Sequence, residues 1–180
     1  MAKKQHKTVE KILEQLHQRK MRTYVSLFSS AGVGCYGFKQ SGFECIATCE
    51  LLGERLNIQR ANNKCRFNSG YICGDLTKEE TQARLFAEIE YWKNTQQVTD
   101  VDVVFATPPC QGMSTANCKK NDQDQVRNSL VVEAIRVIRD VNPKVFVFEN
   151  VRSFMKTTCT DISGVDMPIK DSIFKNLADS

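Results

Sequence analysis

The feature that most constrains the fold is an alternation of short apolar runs with stretches of helical periodicity. Thr23–Phe28 reads as a first strand, Glu44–Cys49 as a second, Tyr71–Cys73 as a short third, Val101–Ala106 as a fourth and Lys144–Phe148 as a fifth. Leu51–Ala61 between them looks helical. Leu85, Ile89 and Trp92 continue a helical stripe that a Thr77–Glu80 capping box would open. Leu130, Ala134, Val137, Ile138 and Val141 mark another helix, stopped by Asn142-Pro143. The apolar character of Val101–Ala106, interrupted only by Asp102, predicts a strand buried on both faces. Strand and helix alternating in this way predict an α/β fold with a doubly wound, mostly parallel sheet.

In such a sheet ligands bind beyond the carboxyl ends of the strands, and here those ends are polar. The first run leads into Ser29-Ser30-Ala31-Gly32-Val33-Gly34-Cys35-Tyr36-Gly37, with Gly32, Gly34 and Gly37 at G-x-G-x-x-G spacing. Glycines there let backbone N–H groups approach an anion closely, either a pyrophosphate or an amino-acid carboxylate; they also suit a plain tight turn. Glu50 ends the second run, where a carboxylate can accept from both hydroxyls of a ribose. Asp75 follows the third, placed to accept from an adenine amino group. Either acid alone could be a helix cap or a solvated charge; their recurrence at successive strand ends favours a site. The fourth run ends in Thr107-Pro108-Pro109-Cys110-Gln111-Gly112-Met113-Ser114. Paired prolines cannot continue a ladder, so Cys110 is held in a stiff loop at the ligand edge. It reads as a nucleophile, although a lone cysteine is commonly buried filler. The fifth run ends at Glu149-Asn150-Val151, on the same edge.

An apolar content of 41% and a charged content of 26% are those of a soluble globular domain. No apolar run approaches the ~20 residues that span a bilayer, and Met1–Lys20 is too polar for a secretory leader. The 8 cysteines include no C-x-x-C pair, and the two histidines, His6 and His17, lie outside the patterned core. This predicts no zinc site and an intracellular location, in a reducing cytosol or a nucleus. Residues 1–22 carry seven Lys/Arg against two Glu, which leaves a net charge of −1 for residues 23–180. If the protein acts on nucleic acid, much of the phosphate-gripping surface should lie elsewhere. The expected organisation is a basic helical extension over 1–22, with Val9, Ile12, Leu13 and Leu16 at helical spacing, then a core over 23–151. Residues 152–180 form an incomplete, helical C-terminal part in which Ile169, Ile173, Phe174 and Leu177 share a stripe. Asn117–Gln125 reads as a polar mobile stretch, and the fifth strand as an uncovered sheet edge.

Pro-Pro-Cys-Gln after the fourth run, Glu-Asn-Val after the fifth and the glycine loop after the first resemble the cytosine-C5 methyltransferase family, over Thr23 to Val151. The resemblance implies a Rossmann-like core truncated after its fifth strand. It also implies S-adenosylmethionine as cofactor, S-adenosylhomocysteine as product, no metal, and DNA as substrate, with a related branch acting on tRNA. By that resemblance Ser26–Gly34 is the cofactor loop: Phe28 lies near the adenine, Ser29, Ser30, Ala31 and Val33 contribute to the loop, and Gly32 and Gly34 face the methionine part. Glu50 with Leu51 takes the ribose and Asp75 with Leu76 the adenine, while Pro108 and Leu130 lie on the cofactor side. Cys110 and Glu149 are catalytic. Pro109, Gln111, Gly112, Ser114, Asn150 and Val151 border the target base. Two positions depart from the family pattern: Ser30 stands for its usual first glycine, and Ser26 for its common Asp before the Phe.

The implied chemistry explains these residue types. Cytosine C5 is a weak nucleophile until a thiolate adds at C6 and makes the ring an enamine. A protonated Glu149 at N3 would neutralise the growing charge, and burial would favour that proton. The base that removes the C5 proton is not identified, and in a duplex the target must first be flipped out. The family's downstream glutamine/arginine motif and recognition region have no counterpart, since Arg152 is the only arginine after position 139. The chain is thus expected to be a truncated catalytic domain or half of a split enzyme completed by a second polypeptide. Two rivals stand beside this reading. An NAD-dependent dehydrogenase fits Gly32–Gly37 and Glu50 but leaves Pro-Pro-Cys-Gln unexplained. A non-catalytic partner retaining the fold is disfavoured by the presence of both Cys110 and Glu149.

Overall fold

A computed structural model describes residues 21–109 and 130–178 of the chain. The predicted Lys7–Lys20 helix, the Asn117–Gln125 stretch and residues Cys110, Gln111, Gly112 and Ser114 lie outside the described residues. Five strands appear where the apolar runs place them: β1 (Arg22–Leu27), β2 (Phe43–Glu50), β3 (Tyr71–Cys73), β4 (Val103–Ala106) and β5 (Val145–Phe148). They form one wholly parallel sheet in the order β3-β2-β1-β4-β5. The chain steps outward from β1 to β3, then returns to lay β4 against the other side of β1. This reversal is the topological switch point at which open α/β sheets hold ligands.

Alternation along the strands sends side chains into two cores. On one face Val25, Leu27, Ile46, Ile72, Val104 and Ala106 pack with helical residues such as Leu85, Trp92, Ile135 and Ile138. Those residues come from α3 (Glu79–Thr95) and α4 (Leu130–Val141), following the shorter α1 (Tyr36–Gln40) and α2 (Gly53–Ala61). On the other face Tyr24, Cys45, Leu56, Tyr71, Val103 and Phe105 form a smaller core. Phe38 stacks there on Tyr24 at 5.2 Å between ring centroids. All four residues of β4 are buried, as expected of a central strand. β5 is the last strand of the described sheet and is only partly covered, with Val145 53% exposed.

Three local features differ from the sequence expectation. β4 begins at Val103 because the carbonyls of Val101 and Asp102 accept from Lys144 and Val145 N–H before the ladder proper, and the Asp102 carboxylate takes the Thr23 N–H. The Thr77–Glu80 capping box does not form. Thr77 instead donates its N–H to Asp75 Oδ1 at 3.0 Å, and α3 starts at Glu79 with Lys78 as its N-cap. Past β5, the predicted helix is present as α5 (Ile169–Leu177), but an antiparallel hairpin of β6 (Thr158–Thr160) and β7 (Asp166–Pro168) precedes it.

One buried carboxylate knits hairpin and helix together. Asp161 Oδ1 accepts from Ser172 Oγ and Asn176 Nδ2, and Oδ2 accepts from Ser163 N–H, Ser163 Oγ and Lys175 Nζ. Burial alone would push this carboxyl up. The Lys175 ammonium and the Ser172 and Ser163 hydroxyls overcome that and hold it far below the ordinary carboxylate range. A folded-state pKa below the unfolded value stabilises the fold above about pH 4 and loses that contribution as pH falls further. Asp161→Asn should therefore cost about 2–4 kcal/mol at pH 7, because an unpartnered donor and a cation remain around it. In urea titrations the gap between wild type and variant should close progressively as pH falls from about 5 towards 2. A gap that stays constant with pH would mean that Asp161 contributes through packing alone.

Candidate functional site

Strand register builds the site. Leu27 pairs with Cys49 on one side and Ala106 on the other, and Ala106 pairs with Phe148. Four strand ends are thereby level. The residues just past them complete the ladder: Ser29 N–H donates to Cys49 O, Thr107 N–H to Leu27 O, and Glu149 N–H to Ala106 O. Two side chains then tie the loops across this edge. Thr107 Oγ1 donates to Phe28 O at 2.8 Å, and Asn150 Nδ2 donates to Pro108 O at 2.8 Å.

Beyond this edge lies a cleft of about 500 Å³. The loop after β1 supplies Phe28, Ser29, Ser30, Ala31, Val33 and Gly34, and the end of β2 supplies Glu50 and Leu51. Asp75 and Leu76 come from beyond β3, Pro108 and Pro109 from beyond β4, Leu130 from α4 and Glu149 from beyond β5. Of the residues named from the sequence for the cofactor, Gly32 alone does not line this cleft. It faces the back of the loop, where a Cβ would lie 3.0 Å from Gln59 Cγ. Asn150 acts as the clamp on Pro108, and Val151 is exposed beside an apolar groove along β5. Cys110 lies outside the described residues; its neighbour Pro109 lines the cleft.

The loop is held from behind by a buried polar network that sequence reading missed. Gln59, 1% exposed, donates from Nε2 to Ser29 Oγ (2.8 Å) and Ser30 O (2.5 Å). Its Oε1 accepts from Thr48 Oγ1, which in turn accepts from Lys64 Nζ at 3.0 Å. A glutamine in an unremarkable helical stretch carries no signal of this role. Phe105, Thr107 and Arg55 also line the cleft and were not anticipated. The glycine pattern is used only in part. Gly34 sits where a Cβ would press on the Phe105 ring at 3.3 Å, and Gly32 has φ +86, whereas Gly37 has open space around it. The helix the pattern implied is a single 3-10 turn, Val33–Cys35, followed by the five-residue α1.

Glu50 is 5% exposed and fixed by its neighbours. Its Oε2 accepts the Ser30 N–H (2.8 Å), and its Oε1 accepts the Leu52 N–H (3.1 Å) and Arg55 Nη1 (3.3 Å). A carboxylate so oriented has one acceptor site left, on Oε2, for a hydroxyl donor in the cleft. Val33 and Leu51 on the rim are 81% and 62% exposed, apolar surface suited to a ligand's flat or aliphatic parts. Glu149, expected to be buried enough to favour its proton, is exposed at the rim. The described residues do not desolvate it.

A strand-end cleft at a switch point, with an acid at the end of β2 and a tight loop after β1, defines an α/β domain of the doubly wound class, whose ligands bind at this edge. Comparison narrows this. The model of the C-5 cytosine-specific DNA methylase family matches residues 22–163, and the chain belongs to that family. It is 35% identical over 131 residues to the type II methyltransferase M.AquIA of Picosynechococcus sp., covering 73% of this chain and 49% of that one. It is 32% identical over 135 residues to M1.HgaI of Avibacterium volantium, covering 73% of this chain and 35% of the relative. The chain thus spans half or less of the length of these relatives. A crystal structure of an E. coli prophage chain described as a DNA modification methyltransferase shares the fold, with a TM-score of 0.57 at 21% identity over 88% of this chain and 38% of that one.

The loop geometry generates a paired test. Ser30 adopts φ +48, a left-handed conformation costly for a residue with a Cβ. Ser30→Gly should leave stability unchanged or raise it by up to about 1 kcal/mol, because relief of that strain is offset by the extra freedom of an unfolded glycine. Gly32→Ala should cost about 1–3 kcal/mol, from its φ and the Gln59 contact. Chemical denaturation of both variants measures the contrast; equal effects would show that the loop backbone is unstrained.

Proposed function

We propose that this chain carries the cofactor-binding and catalytic part of a DNA cytosine-C5 methyltransferase that uses S-adenosylmethionine. The observation that carries the reading is the tie between the loops beyond β4 and β5, Asn150 to Pro108, which brings Pro109 and Glu149 to the cleft that also holds Glu50 and the β1 loop. Family membership supports the reaction class.

The residues present fit the cofactor. Glu50 offers an oriented carboxylate to ribose hydroxyls, Asp75 an acceptor to an adenine amino group, and Phe28, Leu51, Leu76 and Leu130 apolar walls. Gly34, without a Cβ, packs directly on the Phe105 ring at the cleft wall. When bound, the cofactor supplies an electrophilic methyl group on sulfonium sulfur. The chain's own part is to activate the base. The Cys110 thiolate adds to cytosine C6, forming an S–C6 bond, and a proton held on Glu149 at N3 offsets the charge moved into the ring. C5 so activated would accept that methyl group as its bond to the sulfonium sulfur breaks, leaving S-adenosylhomocysteine. Loss of the C5 proton and cleavage of the S–C6 bond regenerate the thiolate.

Gripping the duplex calls on polypeptide beyond this chain, either a C-terminal part or a partner carrying target recognition. The support is electrostatic: residues 23–180 carry a net charge of −1, whereas duplex affinity comes from phosphate neutralisation by Lys and Arg. The 180-residue chain alone is therefore expected not to methylate specific DNA.

Two measurements test this. Calorimetry should show S-adenosylhomocysteine binding and no NAD binding, with affinity falling roughly tenfold or more in Glu50→Gln as charge-assisted hydrogen bonds weaken. NAD binding instead would overturn the cofactor assignment. With a 5-fluorocytosine oligonucleotide and the complementing polypeptide, wild type should form a denaturation-resistant adduct that Cys110→Ser abolishes. Glu149→Gln should slow its formation by about 10²–10⁴-fold. An adduct surviving Cys110→Ser would refute the proposed nucleophile.

A further inference from the structure

We propose that Cys45 and Cys65 are a redox pair that closes into an intramolecular disulfide on exposure to a small hydroperoxide. The two thiols lie on adjacent backbone, in an isolated parallel bridge between β2 and the loop preceding β3. Cys65 Sγ donates to Cys45 Sγ at 3.5 Å. Bridging needs the sulfurs to close to about 2.05 Å, within reach of side-chain rotation when the backbones are already neighbours.

Three contacts hold Cys65 in this pose. Its N–H donates to the Tyr71 hydroxyl (2.9 Å), and its thiol also approaches Gly70 O (3.7 Å). Gly70 itself packs so closely that a Cβ would lie 2.5 Å from Ile46 O and 3.2 Å from Cys65 Cβ. The pair is buried, at 1% and 6% exposure, but a polar cleft of about 400 Å³ reaches Cys65 between Lys39, Glu44, Lys64 and Arg66. Burial alone would push the Cys45 thiol up; the hydrogen bond from Cys65 and the Lys64 ammonium bring it below its ordinary value. Cys65 is pushed up by donating that bond and by burial. The contact between the two sulfurs places each to resolve an oxidised form of the other.

The chemistry balances with peroxide as oxidant. One sulfur of the pair, as thiolate, attacks one peroxide oxygen, the O–O bond breaks, and the departing hydroxide takes up a proton, leaving a sulfenic acid. Its partner, already in contact, then attacks that sulfur, the S–O bond breaks, and the second hydroxide leaves with the remaining thiol proton. The dithiol loses two hydrogens, and peroxide is reduced to two waters. The product ties β2 to the loop carrying Lys64, which donates to Thr48 in the network behind the cleft.

The test is to treat the full chain with hydrogen peroxide, block remaining thiols by alkylation and map the peptides. A Cys45–Cys65 cross-link should appear at doses that oxidise the exposed Cys73, and dithiothreitol should remove it. Fragmentation of the linked peptide separates Cys45 from nearby Cys49. The oxidised chain should melt on the order of 5–10 °C higher, as the cross-link closes a loop in the unfolded chain. Cys65→Ser should remove the cross-link without another pair replacing it. Recovery of Cys45 and Cys65 as free thiols while Cys73 is oxidised, or a cross-link to a different cysteine, would overturn the proposal.

Discussion

The site depends on parallel register. Because Leu27, Cys49, Ala106 and Phe148 are level across four strands, the next residue of each chain segment must emerge at one edge. Backbone N–H groups of Ser29, Thr107 and Glu149 then extend the ladder by one step before the loops diverge. A one-residue slip of β4 or β5 would turn Phe105 and Val147 to the wrong core and move Thr107 and Asn150 out of reach of the carbonyls they clamp. Core burial and site geometry are thus enforced by the same pairing. The Thr107 and Asn150 side chains then hold the loops that this register brings to one edge.

What the register leaves loose, a satisfied polar network tightens. Phe28 and Ser30 both hold positive φ, at 54° and 48°, an arrangement that persists only where surroundings over-determine it. Thr107 takes the Phe28 carbonyl, Gln59 takes the Ser30 carbonyl, and Glu50 takes the Ser30 N–H. Each of these partners comes from a different element. A buried glutamine, threonine and lysine would be a liability if any were unpaired; linked as they are, they fix one loop conformation.

Much of the fold was legible because it follows from period. The strands announce themselves as apolar runs and α4 as an apolar stripe, with Val131, Ala134, Ile135 and Ile138 buried. The strand-end acids were legible because parallel topology makes every strand end a site position. What was not legible lies where pattern is weak. β6 and β7 are three residues each, Thr-Cys-Thr and Asp-Met-Pro, with no alternation and a terminal proline. The hairpin exists because Asp161 gathers donors from Ser163, Ser172, Lys175 and Asn176, a long-range convergence that no local spacing reveals. The capping box failed for a similar reason: Asp75 competes for the same turn and binds the Thr77 N–H first. Gln59 and the Cys45–Cys65 contact likewise depend on which residues the sheet brings together, and Cys110 itself lies outside the described residues.

The two halves of the cleft differ in completeness. On the β1–β3 side the walls are rigid: Glu50 is buried and triply held, and Leu76 is packed. On the β5 side Glu149 is exposed, and Phe146, Phe148 and Phe174 line an apolar groove of about 560 Å³ beside a strand with no further neighbour among the described residues. The β1–β3 side of the cleft is therefore built in place by contacts within the described residues, while its β5 side is left open.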